Sequence, residues 1–282
     1  GILYLYRDSA KLEAGVQHMR IMEELGHRID VLDRAQVLQL EPALSAVGHK
    51  IAGGVYCPTD ESGSCHKFTT GLAEHITRNG GEIRTGETIT ALDAEGDRIT
   101  AVRTDRETLR ADLYVMALGN GSPFLSRTIG EPLPIYPVKG YSLTLPVGNN
   151  PNPPTVGSVD EENLVAVSRF GDQVRVTATA EIAGHDRSHR PEDFRFMADV
   201  VRELYPDGAD HDRPHMWAGL RPMTPTNLPY IGRRRHANLY YDTGHGHIGW
   251  TMACASALVC SELMAGRPSP VPLEGLEPQR YA

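Results

Sequence analysis

The sequence predicts an α/β (α+β) fold in which an α/β layer with parallel strands is interleaved with an antiparallel-sheet domain. Three observations predict it. A continuous apolar run at residues 113–118 ends at Gly119, as buried parallel strands do. Residues 135–145, 164–169 and 174–181 alternate between apolar and polar side chains, which is typical of antiparallel strands. Apolar residues at helical spacing separate several of these strands, so helices are expected between them.

Strand-forming runs and helical periodicity alternate through the first half of the chain. The clearest helix is expected at 66–78, where Phe68, Leu72 and Ile76 are spaced to face inward. The other predicted elements are a helix at 9–25 capped by Ser9, a helical turn from its cap Asp33 to Pro42, and strands at 1–6, 28–32, 51–56, 82–85, 88–92 and 98–103.

The second half is expected to hold most of the antiparallel sheet. A tight turn at 171–173 joins two of its strands, and a loop rich in Asn and Pro occupies 149–154. The remaining predicted elements are a helix at 191–204, strands at 216–220 and 239–243, and a helix at 249–264.

Composition argues against several classes of protein. The 282 residues include 28 Lys and Arg against 36 Asp and Glu, a formal charge of −8, which disfavours general nucleic-acid binding. No apolar stretch approaches the roughly 20 residues that span a bilayer. The four cysteines, at positions 57, 65, 254 and 260, lack zinc or disulfide-framework spacing and are typical of reduced cytosolic thiols.

A glycine-rich loop, Gly244-His-Gly-His-Ile-Gly249, lies between a predicted strand and a predicted helix. Its spacing is that of the dinucleotide fingerprint, but neither a second parallel strand nor a ribose-binding acid follows, so we reject an NAD-type unit. Two interpretations stay open. The loop is a corner without a ligand, or its helix-start N–H groups approach a flat ligand such as a flavin, whose reduced form carries negative charge.

Two long motifs stand out, one from Trp217 to Pro225 (WAGLRPMTP) and one from Asn238 to Cys254 (NLYYDTGHGHIGWTMAC). Shorter motifs lie at 60–63, 67–69, 112–119, 136–144, 179–182 and the closing Arg280-Tyr281. Taken in order, they resemble the bacterial D-amino acid dehydrogenases (small subunit), within the D-amino acid oxidase and glycine oxidase superfamily of FAD-dependent oxidoreductases. Three positions depart from the family pattern: Ser64 stands for Asp, Ala255 for Gly, and His247 for Thr.

The resemblance implies that the α/β layer is an FAD-binding Rossmann-like layer and the antiparallel sheet a substrate domain. It assigns residues 1–48 and 125–235 to the substrate domain, and 49–124 and 236–282 to the FAD-binding domain. The family's first strand, glycine motif and helix have no counterpart before Gly1, so we expect a fragment that does not hold FAD stoichiometrically by itself and exposes apolar faces. A removed tag or initiator methionine is the alternative explanation of a chain that opens in a strand.

Three residues are candidates for the chemistry. The resemblance places Arg221 where glycine oxidase-like enzymes bind the substrate carboxylate, which a guanidinium suits, and the alternative is a structural arginine. His247 is expected to touch the substrate or the flavin edge, or else to pack beside Trp250. Tyr141 is expected to lend its hydroxyl to the substrate or to lie in the core, and Lys139 has the same alternatives.

The resemblance also implies which residues contact FAD, with the backbone near Ile89 facing the adenine. The predicted cofactor-binding residues are Ile89, Ala117, Gly119, Gly244, His245, Gly246, His247, Ile248, Gly249 and Trp250. No metal site is expected, because His245 and His247 have no Asp, Glu or Cys partner at ligand spacing.

The implied reaction oxidises the Cα–N bond of a small-molecule amino acid, and water hydrolyses the resulting imine to a 2-oxo acid and ammonia. The resemblance implies a D-amino acid as substrate, a quinone or other electron acceptor, and a location in the cytoplasm or peripherally on the inner membrane. Two alternatives stay open. One is an oxidase or dehydrogenase of N-methyl or cyclic imino acids (sarcosine, proline or hydroxyproline type), and the other is an inactive remnant or subunit whose FAD-binding half is a separate chain.

Overall fold

A computed structural model describes residues 1–277, so the motif Arg280-Tyr281 and the end of the predicted segment 236–282 lie outside the described residues. The elements within that range are, in chain order, β1 Ile2–Tyr6, α1 Ser9–Glu24, β2 Asp30–Asp33, α2 Arg34–Leu40, a 3-10 helix Pro42–Lys50, β3 Gly53–Cys57, α3 Cys65–Arg78, β4 Ile89–Glu95, β5 Arg98–Thr104, β6 Thr108–Leu109, β7 Tyr114–Met116, a 3-10 helix Gly119–Gly121, α4 Ser122–Arg127, β8 Tyr136–Pro146, β9 Gly157–Asp160, β10 Val165–Phe170, β11 Gln173–Glu181, a 3-10 helix Pro191–Phe194, α5 Arg195–Leu204, β12 His215–Met223, β13 Tyr230–Arg233, β14 Leu239–Thr243 and α6 Gly249–Met264.

The first of two compact units comprises Gly1–Phe68, Gly140–Glu181 and Arg187–Gly219. It is built on an eight-stranded sheet with the order β12-β8-β11-β10-β9-β1-β3-β2. The strands β9, β10 and β11 pair antiparallel in sequence, whereas β1 pairs parallel with β9 and antiparallel with β3. Their apolar residues form one core with α5, which contributes Leu204. The antiparallel pattern predicted for this region is confirmed.

The second unit comprises Thr69–Lys139, Ile182–Asp186 and the chain from Leu220 onward, so it includes the last residues of β12. It contains two three-stranded sheets, with the orders β13-β14-β7 and β4-β5-β6. These units are defined by contacts within the fold and not by which of them binds FAD or substrate. The domain boundaries that the resemblance implies therefore stay a prediction. The predicted mixture of a parallel layer with antiparallel sheets is confirmed.

The strand β7 runs parallel to β14, as predicted for the run at 113–118. It is shorter than that run and is buried on one face only. Tyr114 and Met116 lie in the core, whereas Val115 is 44% exposed. The continuous apolar run therefore identified the strand correctly, but it wrongly indicated that both faces of the strand are buried.

The helix α1 begins one residue earlier than expected. Asp8, not Ser9, is its cap, because Asp8 has an extended backbone and its carboxylate accepts a hydrogen bond from the Lys11 N–H at 3.0 Å. The cap of α2 agrees with the prediction, since Asp33 and Gln36 form a reciprocal capping box.

The apolar stripe of α3 was expected to face inward, and that expectation is wrong. Phe68, Leu72 and Ile76 are 46%, 46% and 41% exposed, and none of the helix residues is buried within the described part of the chain. Helical periodicity shows that one face is apolar, but it does not show which element covers that face.

Short elements account for the other differences. Residues 82–85 form no strand, and β6, β9, β13 and α4 were not predicted. In β9 the inward residues are polar, since Ser158 and Asp160 are 2% and 1% exposed, so the strand lacks the apolar alternation that would reveal it.

Ion pairs around the buried Asp160 and the partly buried Arg7 and Glu203 tie distant parts of the first unit together. Arg7, just after β1, donates to Asp160 at 2.6 Å and to Glu203 of α5 at 3.0 Å. Hydrogen bonds from Arg7 and then Lys50 lower the pKa of Glu203 from 4.5 to about 2. These contacts join the end of β1 to β9 and to α5.

The carboxylate of Glu41 is fully buried and serves as an acceptor for backbone donors. Its oxygens accept the N–H groups of Thr155 at 2.5 Å, Val156 at 2.9 Å and Ala43 at 3.2 Å. A buried charge is tolerated here because several donors stabilise it.

No helix within residues 1–277 combines the length and the apolar character needed to cross a bilayer.

Candidate functional site

Three segments of the second unit meet and carry most of the predicted site residues. They are the turn after β7 (residues 119–122, the β7 turn), the end of β12 (residues 220–224), and the loop between β14 and α6 (residues 244–250, the glycine loop). The β7 turn and the glycine loop follow strands and the third segment is the end of one, so the sheet framework holds all three in place.

Polar contacts join these segments pairwise. Asn120 in the β7 turn donates its side-chain N–H to the carbonyl of Leu220 at 2.9 Å. The buried hydroxyls of Ser122 and Thr243 hydrogen-bond at 2.8 Å, which ties the β7 turn to the last residue of β14. The Gly246 N–H donates to the carbonyl of Pro222 at 3.0 Å, which joins the glycine loop to the end of β12.

The glycine loop needs glycine at its first position. Gly244 has φ +81°, a left-handed conformation that L side chains rarely adopt. A Cβ there would lie 2.8 Å from Cγ2 of Thr224, which is too close for two carbon atoms. Gly246 is also left-handed, at φ +59°, but a Cβ there would meet the flexible side chain of Met223 at 3.1 Å. The backbone therefore follows a tight path that a side chain at 244 would block.

The first turn of α6 has neither a side-chain cap nor an acidic residue. The first N–H groups of this helix and the positive end of its dipole therefore form a surface that suits a negatively charged or electron-rich group. Ile248 and Trp250 beside this start are 39% and 41% exposed, and His247 is also exposed. Apolar and polar contact surfaces thus adjoin at one helix start.

Arg221 lies between Leu220 and Pro222, the two residues of β12 that the neighbouring segments hold. It is half-buried, and burial lowers the pKa of its guanidinium below the usual value. An arginine stays charged at neutral pH after such a shift. A guanidinium offers two parallel N–H donor directions, which suits a carboxylate.

His245 lies beside Asp242, the residue before the last of β14. Its Nε2 is 3.1 Å from Oδ1 of Asp242, and both atoms are buried. The two atoms are close enough to attract electrostatically, but their alignment is too poor for a hydrogen bond. Within residues 1–277, no group of His, Cys, Asp and Glu is arranged to hold a metal ion.

A buried polar cluster supports β14 from within the second unit. Glu131 accepts hydrogen bonds from the Tyr241 hydroxyl at 2.8 Å and lies 2.5 Å from Nδ1 of His236. All three residues are at most 2% exposed. Burial and then the adjacent Glu131 charge raise the pKa of Tyr241, which therefore stays a neutral donor.

The other predicted residues lie in different surroundings. Ile89 begins β4, in the other three-stranded sheet of the second unit, and Ala117 is exposed just after β7. Lys139, in β8, is 3% exposed. Tyr141 belongs to the first unit, where it is 4% exposed, hydrogen-bonds Glu181 and packs its ring edge-on against Phe194.

Sequence reasoning missed the polar residues that assemble the site. Asn120 and Ser122 lie in none of the motifs, and Thr243 lies in the motif at 238–254 without an assigned role, although Asn beside glycine in Gly119-Asn120-Gly121 is a recognised turn signal. The signal indicates a turn but not the distant carbonyl that the side chain binds.

Comparisons with known proteins agree on one family. Residues 1–263 match the profile of the family described as "DAO: FAD dependent oxidoreductase". The chain is 43% identical over 277 residues to "D-amino acid dehydrogenase 2" of Mesorhizobium japonicum, covering 98% of this chain and 67% of that protein. It is 44% identical over 281 residues to "D-amino acid dehydrogenase" of Paramagnetospirillum magneticum, covering 100% and 67%. The chain thus spans about two thirds of the length of these relatives.

Solved structures show the same fold at lower identity. Glycine oxidase from Geobacillus kaustophilus superposes with a TM-score of 0.89 at 20% identity, covering 100% of this chain and 75% of that one. L-proline dehydrogenase from P. horikoshii superposes with a TM-score of 0.86 at 18% identity, covering 98% and 75%.

Proposed function

Because the chain belongs to the DAO family of FAD-dependent oxidoreductases, we propose that it oxidatively deaminates amino acids, with D-amino acids as its substrates. The family and the FAD requirement expected from the resemblance are confirmed by the family match. The observation that carries the proposal is the meeting of a held, half-buried Arg221 with the glycine loop in one cluster. The names of the relatives at 43% and 44% identity support the D-configuration.

The glycine loop fits a flavin in three respects. Gly246 leaves a backbone surface without a Cβ atom, so a flat ring can approach closely, and Gly244 keeps the loop on its tight path against Thr224. The uncapped start of α6 suits an edge that gains negative charge on reduction. Gly119, left-handed at φ +53°, adds a third surface without a side chain in the β7 turn. We assign these groups, with Ala117, His245, Ile248, Gly249 and Trp250, to flavin binding, and the backbone near Ile89 to the adenine.

FAD, when bound, supplies the acceptor for the hydride that leaves the substrate Cα. Arg221 binds the substrate carboxylate through paired hydrogen bonds and thereby orients Cα. The substrate nitrogen also loses a proton, so the Cα–N bond becomes an imine, and water hydrolyses it to a 2-oxo acid and ammonia. His247, exposed beside the helix start, is assigned a contact with the substrate or the flavin edge.

The electrons are proposed to pass to a quinone at the inner membrane surface instead of to oxygen. The relatives are named dehydrogenases, not oxidases, which supports this choice. Reduction of a soluble quinone analogue with no oxygen uptake is the expected result. Stoichiometric oxygen consumption would contradict it.

Arg221→Ala in the FAD-loaded enzyme tests the central assignment. We expect kcat/KM for D-alanine to fall about 10- to 150-fold, since hydrogen bonds to a charged group contribute about 1.5–3 kcal/mol and each 1.4 kcal/mol is a factor of ten. The flavin content should stay unchanged, and activity on D-alaninamide, which lacks the carboxylate charge, should change little. Equal losses on both substrates would show that Arg221 does not bind the carboxylate. Faster turnover of sarcosine or proline than of any D-amino acid would show that N-methyl or cyclic imino acids are the substrates instead.

A further inference from the structure

We infer that Asn120 is a positioning residue for Arg221, because its side-chain amide holds the backbone next to the arginine. The inference rests on the proposed function, in which Arg221 binds the substrate carboxylate. Asn120 itself is not assigned a contact with substrate or cofactor.

The backbone of Arg221 is held on both sides by different segments. On the N-terminal side, the Leu220 carbonyl accepts the Asn120 amide at 2.9 Å. On the C-terminal side, the Pro222 carbonyl accepts the Gly246 N–H at 3.0 Å. The peptide group before Arg221 and the one after Pro222 are therefore both held, and they restrict the direction in which the arginine side chain leaves the chain.

The β7 turn brings Asn120 within reach of Leu220. Gly119 has φ +53°, a left-handed conformation that turns the chain out of β7. A Cβ at Gly119 would lie 3.7 Å from the Pro222 ring, so the turn already runs in contact distance of the arginine segment. The side chain of Asn120 then spans the remaining gap.

The amide N–H of Asn120, and not its amide oxygen Oδ1, makes the contact with the neighbouring segment. Its Oδ1 is buried and has no hydrogen-bond partner within residues 1–277. A buried acceptor without a donor is unfavourable, and leucine, of similar size, would avoid it. The contact with Leu220 is the one interaction of this amide that offsets that penalty in the described structure.

Positioning matters for arginine because its side chain is long and flexible. A guanidinium binds a carboxylate bidentately only if both N–H groups align, so a small shift of the backbone is amplified at its tip. Losing the Asn120 hydrogen bond should therefore weaken the binding of carboxylates specifically and leave the binding of analogues without a carboxylate unaffected.

The test uses Asn120→Leu in the FAD-loaded enzyme, with Asn120→Ser as a second variant if the first does not fold. Pyruvate affinity is measured from the change in flavin absorbance, and kcat/KM is measured for D-alanine and D-alaninamide. We expect the pyruvate dissociation constant and the KM for D-alanine to rise about 2- to 10-fold, the effect of one hydrogen bond. Values for D-alaninamide should stay within about 2-fold of the parent enzyme.

Asn79→Leu is the matched control, because Asn79 also donates its amide to a backbone carbonyl, that of His75 at 2.7 Å, but at the exposed end of α3. It should leave all these values unchanged. In an Arg221→Ala background, adding Asn120→Leu should not weaken pyruvate binding further, since the two residues act through one contact.

The outcomes separate the inference from the proposed function. If Arg221→Ala weakens pyruvate binding and neither Asn120 variant does, the positioning role is wrong and the proposed function stands. Equal losses for D-alanine and D-alaninamide, or independent effects in the double variant, would also overturn the positioning role. If Arg221→Ala leaves pyruvate binding unchanged, the carboxylate assignment itself fails.

Discussion

Replacing Gly244 by alanine should destabilise the second unit more than the same change at another left-handed glycine. Gly244 has φ +81°, and the added methyl group would lie 2.8 Å from Cγ2 of Thr224 and 3.5 Å from Cδ1 of Ile135. Two separate penalties therefore act at this position, one from the backbone and one from the packing.

The two penalties have known sizes. A left-handed conformation costs an L-residue about 1–2 kcal/mol. Forcing a methyl group into a packed site costs about 1–3 kcal/mol. Gly244→Ala should therefore lower the free energy of unfolding by about 2–5 kcal/mol. Gly266, just after α6, has φ +71° and no atom within 4 Å of an added Cβ, so Gly266→Ala should show only the first penalty.

Urea unfolding of the two variants, followed by circular dichroism, measures the difference. Gly244→Ala should be less stable than Gly266→Ala by about 1–3 kcal/mol and should also lose flavin, because the glycine loop shifts. Equal destabilisation of the two variants would refute the tight packing around Gly244. Full flavin content in a strongly destabilised Gly244→Ala variant would show that the glycine loop does not bind the cofactor.

Three further changes test the buried polar groups. Glu41→Ala should lower the free energy of unfolding by about 3–5 kcal/mol, because each hydrogen bond to a charged group contributes about 1.5–3 kcal/mol, and a loss below about 1 kcal/mol in urea titrations would contradict the structure. Glu203 has a pKa lowered to about 2 in the folded state, so its pairing with Arg7 stabilises the protein above pH 4.5, and this stabilisation is lost as pH falls toward 2. The difference in unfolding free energy between the parent and Glu203→Gln should therefore shrink over that range. A constant difference would exclude the pairing. Tyr241→Phe removes a hydroxyl donor from the buried Glu131 carboxylate and should cost about 1–3 kcal/mol, whereas an unchanged melting temperature would show that the carboxylate finds another donor.

The long elements could be predicted from the sequence because their signals are local. The apolar spacing of α6, the alternation of β10 and β11 and the Asp33 cap of α2 each depend on residues within a few positions. The strand β9 could not be predicted in this way. Its inward residues are polar and are satisfied by Arg7 and Tyr205, which are distant in sequence.

The candidate site shows the same limit. Arg221 and the glycine loop were found because a recognised motif contains them, and the backbone angles of Gly244 and Gly246 agree with the glycine requirement of that loop. Asn120 was not found, because its role depends on a carbonyl 100 positions away. Residues that act by holding another segment leave no periodic or compositional signal, so only the three-dimensional contacts reveal them.

The pairing of β1 has a consequence for how the protein is made. Ile2 lies opposite Gly157 in the parallel pair of β1 and β9, whereas β3 follows β1 by only about fifty residues. A ribosome adds about 5–20 residues per second, so roughly 8–30 s separate the synthesis of β1 from that of β9. During that interval β1 can pair with β3, but its opposite edge has no partner and can join the same edge of a neighbouring nascent chain. Yield in a fast expression host should therefore depend on chaperone supply and growth temperature as well as on the stability of the finished protein.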